Sequence, residues 1–113
     1  MSIAGRWRIV EMDLWEQEAL DLVGPFVELA PQQTGSLGFI AVEGSVDWRP
    51  VCRDGCPGVE FTWDGFDDDD PISGRGWAVL EEDGSARGHI YLHLGDDSGF
   101  RAVCAGDDLG RRR

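Results

Sequence analysis

Residues 76–94 read GWAVLEEDGSARGHIYLHL, and the fold follows from that stretch. In its second half Ile90, Leu92 and Leu94 alternate with His89, Tyr91 and His93. A period of two puts one set on each face of a strand. The first half carries Trp77 and Val79 at the same spacing, and Glu82-Asp83-Gly84 between the halves is hairpin-turn chemistry. A lone hairpin cannot bury an apolar face, so further strands must join it.

Working outward, short apolar stretches separated by Gly, Pro and Asp recur about every ten residues, the spacing of an antiparallel meander. The expected strands are 5–12, 26–30, 36–43, 45–51, 59–64, 76–80, 87–94 and 99–104, with a turn at Gly44. Trp7 and Ile9 share a face of the first, Leu37, Phe39 and Ala41 of the third, and Val59, Phe61 and Trp63 of the fifth. Residues 13–23 break the pattern: Leu14, Trp15, Glu18 and Leu22 fall at helical spacings, Asp13 is placed to cap, and Gly24-Pro25 stops the run. The sequence therefore predicts an all-β domain over residues 1–105, a small antiparallel up-and-down eight-strand barrel with one short helix between strands one and two. Residues 106–113 are expected to fray.

Composition narrows the function classes. In 113 residues, 22 Asp and Glu face 10 basic residues, all Arg, for a formal net charge of −12. Three of those Arg end the chain, so the body is more acidic still, and nucleic-acid phosphates would be repelled. The absence of Lys excludes Schiff-base and lysine-nucleophile chemistry. With 42% hydrophobic residues, including five Trp and five Phe, there is material for one core. No apolar run approaches the roughly 18 residues of a membrane span, and residues 1–15 show no apolar signal core, so a soluble, cytoplasmic protein with no membrane partner is expected. Three cysteines, Cys52, Cys56 and Cys104, are an odd set for a disulfide scaffold. The Cys52–Cys56 gap is one residue longer than that of redox and zinc pairs, so free thiols, no metal and no cofactor are expected.

An eight-strand meander opening with Gly5-Arg6-Trp7 resembles the calycin superfamily, the lipocalins and their small relatives, whose first strand begins Gly-x-Trp. That resemblance implies a barrel with an interior ligand site and an Arg late in the last strand packing near the Trp, a role that would fall to Arg101. The lipocalin Thr-Asp-Tyr motif has no counterpart. The stretch from Trp63 to Trp77, with His93-Leu-Gly-Asp-Asp-Ser98, also resembles small uncharacterised bacterial proteins.

In such a meander the connections after strands one, three, five and seven share one end. That end receives residues 13–23, the Gly44 turn, a loop over 64–75 and a loop over 95–99. These loops hold Asp64, Asp67, Asp68, Asp69, Asp70, Asp96 and Asp97. Such a cluster can serve as a hard-cation site, as a docking rim for a basic protein, or as solvated turns paired with Arg75. The run 67–70 lacks the alternating spacing and Gly of a calcium loop. The favoured reading is non-catalytic binding, with Asp67, Asp68, Asp69, Asp70, Asp96 and Asp97 as contact surface and Arg75 as organiser. Its rival is a calycin-like binder of a small apolar or aromatic ligand, its pocket lined by Trp7, Phe61, Trp63 and Trp77, with Trp15 and His93 at the mouth. His93 with Asp96, Asp97 and Ser98 belongs to one hairpin tip, whereas a nucleophile, base and orienter normally converge from separate elements. A barrel left imperfectly closed would offer edges through which two copies pair.

Overall fold

The computed structural model describes residues 3–16, 18–19 and 24–105. The strands are β1 (Gly5–Met12), β2 (Phe26–Ala30), β3 (Thr34–Phe39), β4 (Val42–Arg53), β5 (Cys56–Asp67), β6 (Asp70–Leu80), β7 (Ala86–Leu92) and β8 (Asp97–Cys104). Each pairs antiparallel with the next, and β1 pairs with β8 to complete a closed eight-strand up-and-down barrel. Closure leaves no strand edge free, which removes the expected route to a dimer by edge pairing. No helix among the described residues is long and apolar enough to cross a membrane.

The interior is filled by side chains. Trp7, Ile9, Leu29, Leu37, Phe39, Val46, Phe61, Trp63, Ile90 and Phe100 are all buried in one cluster. Large rings fit because glycines lie beneath them on neighbouring strands. A β-carbon at Gly76 would come within 2.5 Å of Phe61 Cζ, one at Gly44 within 3.1 Å of Trp63 Cε3, and one at Gly88 within 2.5 Å of Phe100 Cζ. Trp48 packs against the core toward the far end, its indole N–H directed at the carbonyls of Thr34 and Ala30, 2.8 and 3.1 Å away.

Several expectations are corrected. Gly44 is not a turn; it lies inside β4 opposite Leu37, and the chain reverses at Ile40-Ala41, where Ile40 has φ of 53°. Residues 64–75 are not a loop. β5 and β6 run on as one long hairpin, Asp67 facing Asp70 across a turn of Asp68 and Asp69. The helix expected over 13–23 does not begin at Asp13: residues 13–15 are bends, residues 18–19 are helical with Ala19 N–H donating to Glu16 O, and residues 17 and 20–23 lie outside the described residues. Asp13 does not cap a helix: its carboxylate accepts the Gly99 N–H at 3.0 Å, while Ser98 Oγ accepts the Asp13 and Leu14 N–H groups. This clasp ties the β1–β2 connection to β8. Among the described residues, 18 and 19 in the β1–β2 connection are helical, and Pro31–Gln33 between β2 and β3 forms a short 3-10 turn. The expected frayed tail, 106–113, lies outside the described residues. Arg101 faces outward to Glu11, while Trp7 is buried and donates its indole N–H to Ile3 O at 2.8 Å. They sit on opposite faces of the wall.

The β6–β7 turn is built as its sequence suggests. Glu81 N–H donates to Ser85 O at 2.8 Å, and Asp83 Oδ1 accepts both the Ser85 hydroxyl, at 2.6 Å, and its backbone N–H, at 2.9 Å. Those two bonds hold the Asp83 carboxyl below its ordinary pKa of 3.8. A carboxylate favoured in the folded state stabilises above its unfolded-state pKa and ceases to as pH falls through the lowered folded value. Asp83→Ala should therefore melt below wild type at neutral pH, with the gap narrowing in acid below 3.8. Thermal melts across that range check it, and an unchanged gap in acid would refute a role for the charge.

Candidate functional site

The structure distributes the expected site residues over three places. Trp7, Phe61 and Trp63 are inside the barrel. At the acidic end Trp15 leans on Phe39, ring centres 5.5 Å apart, and Phe39 meets Trp63 edge-on at 6.2 Å. This continuous stack occupies the mouth where a ligand would enter. Trp77 and His93 are not part of it. Alternation along β6 turns Gly74, Gly76, Ala78 and Leu80 inward, and the Phe61 ring occupies the space over Gly76, so Trp77 projects from the outer wall. His93 is exposed beyond the end of β7, its N–H bonded to Ser73 O, and Leu94 follows in a left-handed turn, 96% exposed rather than inward. The expected pocket lining therefore does not converge.

The acidic residues divide as well. Asp67, Asp68, Asp69 and Asp70 form the exposed tip of the β5–β6 hairpin, pinned to the β3–β4 turn by Asp68 N–H donating to Ala41 O at 3.0 Å. Asp97 belongs to β8 and is bonded to His89, while the main-chain carbonyl of Asp96 accepts Leu92 N–H. Arg75 does not organise the tip. It lies opposite Tyr91, its guanidinium 4.1 Å from the ring centre, too far along β6 to meet the turn. Among the described residues no group of three His, Cys, Asp or Glu side chains is placed to hold a metal. Cys52, Cys56 and Cys104 are free thiols, with Cys52 and Cys56 on the two arms of the β4–β5 hairpin.

Among the concavities on the outer wall, two bear on function, and the sequence reading missed both. The larger, about 610 Å³, crosses the outer wall of β2–β5 at the acidic end. Phe26 and Phe66 bound it, Gly38 and Ser45 contribute small residues between them, and Glu43 and Asp64 add carboxylates. Phe66 is 55% exposed, unusual for a Phe on a barrel wall. A second concavity shares Phe66 and Glu43 and leads on to Asp68 and Asp69, so the apolar groove continues into the acidic tip. The other groove, about 460 Å³, lies on the outer wall of β4–β7 among Arg49, Arg53, Arg75, Trp77 and Tyr91. The register places Trp77 opposite His89 and Arg75 opposite Tyr91.

No protein-family model matches the chain, and no curated protein or solved structure is similar to it. The functional reading rests on the surfaces themselves.

Proposed function

We propose that the protein is a non-catalytic binding module that docks a basic protein segment at the acidic end of the barrel. The observation that carries this reading is the continuity of the groove between Phe26 and Phe66 with the Asp68-Asp69 turn. Arg6 already lies over Phe26, 4.0 Å from the ring centre, which leaves the exposed Phe66 ring beside carboxylates to suit an incoming Arg or Lys side chain, whose stem lies against that ring while its head meets Glu43 or Asp64. The tip carboxylates add the longer-range attraction that speeds encounter and screens over roughly 8 Å at physiological salt.

A labelled oligoarginine peptide, titrated at low and high salt, tests it. Any acidic protein attracts such a peptide, so position must be separated from net charge. Changing Asp67, Asp68, Asp69 and Asp70 to Asn should weaken binding about tenfold, whereas the same charge removed by Gln at Glu11, Glu28, Glu81 and Glu82 should cost far less. Phe66→Ala, which alters no charge, should weaken it several-fold. Equal losses in the two charge variants, or an indifferent Phe66→Ala, would mean that attraction is diffuse and the groove is not a docking site.

A further inference from the structure

The second groove carries a separate chemistry, of opposite sign. Arg6, Arg49, Arg87 and Arg101 pair with Glu28, Asp47, Glu81 and Glu11. Arg8, Arg53 and Arg75 differ: among the described residues none of these three side chains forms an ion pair or donates a hydrogen bond, although acids outnumber bases by 22 to 10. Of the three, Arg53 and Arg75 lie on aromatic rings, Arg53 at 3.9 Å from the centre of Trp77 and Arg75 at 4.1 Å from that of Tyr91.

Stacking covers a face of the guanidinium and leaves its in-plane N–H donors free to fork onto an oxyanion. The two rings are fixed relative to each other. His89 stacks on Trp77, planes 16° apart, lies 4.7 Å from Tyr91 and is anchored by Asp97. Because Arg75 and Trp77 are two residues apart on β6, about 7 Å, the two guanidiniums border one groove from separate positions. Two carboxylates share that groove: Asp47, engaged by Arg49, and Glu60, opposite Trp77.

We propose that Arg53 and Arg75 form a binding site for a phosphate-bearing small molecule. A single carboxylate satisfies one guanidinium fork, whereas a phosphate presents several acceptor oxygens and more than one negative charge, and so can engage two forks from two sides. Arg and His already lie against the Trp77 and Tyr91 rings, so recognition falls to the oxyanion rather than to a stacked base. The net charge of −12 opposes every polyanion and a long one most, so the ligand is a small one. Glu60 lowers the affinity by like-charge repulsion, so its removal strengthens binding.

The test is titration of the full chain with inorganic pyrophosphate, followed by calorimetry and by the Trp indole and Arg Nε resonances, with citrate as a carboxylate of comparable charge. Pyrophosphate is expected to bind more tightly than citrate. Changing Arg53 and Arg75 together to Lys preserves charge and should weaken pyrophosphate about tenfold, because a point charge replaces a fork. Glu60→Gln should strengthen it several-fold. The proposal is overturned if pyrophosphate does not bind, if citrate binds as tightly, or if the double Lys variant binds as wild type does.

Discussion

Gly74→Ala is expected to destabilise the barrel by about 3 kcal/mol, at the upper end of what overpacking costs. A β-carbon there would overlap the Tyr91 carbonyl oxygen on the neighbouring strand and stand 2.8 Å from Trp63 Nε1 and 2.9 Å from Cε2. Neither neighbour can yield cheaply. Tyr91 is held in the β6–β7 ladder, and the Trp63 ring, 3% exposed, is backed on its other side by Gly44. Trp63 also carries a buried indole N–H that has no partner among the described residues, so the site already bears a polar cost. Gly95→Ala is the control: its nearest neighbour, Leu92 Cβ, would be 3.4 Å away, an ordinary contact, and the change should fall within about 0.5 kcal/mol. Urea unfolding monitored by Trp fluorescence separates the two. A Gly74→Ala variant within about 1 kcal/mol of wild type would show that the wall gives way more easily than its packing implies.

The same glycines explain how much of the fold was legible. The alternation in β1, β2 and the latter part of β7 is written in apolar side chains, and the strands at 5–12 and 26–30 could be read to the residue. In β4, β5 and β6 the inward positions include Gly44, Gly65, Gly74 and Gly76, which carry no hydrophobic signal and look like turn formers. Residues 64–75, polar outside and glycine-rich inside, thus imitated a loop. The signal was nonetheless present. If Gly74, Gly76 and Ala78 take the inner face, alternation forces Arg75, Trp77 and Val79 to the outer one. A rule that sends every Trp inward missed this, and with it the arginine-lined groove.

The acidic end was legible in outline, because topology alone sends the connections after β1, β3, β5 and β7 to one side. What sequence could not supply was pairing. Asp97 turned out to be bonded to His89, and Arg75 to lie on Tyr91, because cross-strand register decides which charges meet. The result is a partial separation: the tip of Asp67, Asp68, Asp69 and Asp70 carries carboxylates with no Arg partner among the described residues, whereas Arg49, Arg53, Arg75, Arg87 and Arg101 lie on the outer wall of β4–β8 among Asp47, Glu60, Glu81 and Glu11. A basic ligand and a small anion would thus address different surfaces, and removing the tip carboxylates leaves every one of those arginines in place.

Phe61→Ala should be the most damaging single truncation, costing about 4 kcal/mol, against a total stability for a domain of this size of roughly 5–15 kcal/mol. The ring is buried in the middle of β5 and fills the hollow above Gly76, and a closed barrel of paired strands cannot collapse onto the space it leaves. Gly76→Ala should itself be costly, since its β-carbon would lie 2.5 Å from Phe61 Cζ and equally close to the His89 carbonyl oxygen. The two changes should not add. Removing the ring removes the steric conflict with it, while the conflict with the carbonyl stays, so the double variant should be more stable than the sum of the singles predicts by about 1 kcal/mol or more. Denaturant unfolding of the two singles and the double gives that coupling directly. Simple additivity would mean that the ring does not occupy the hollow over Gly76, and the argument that glycines make room for the barrel's aromatic core, and thereby turn Trp77 outward, would fail with it.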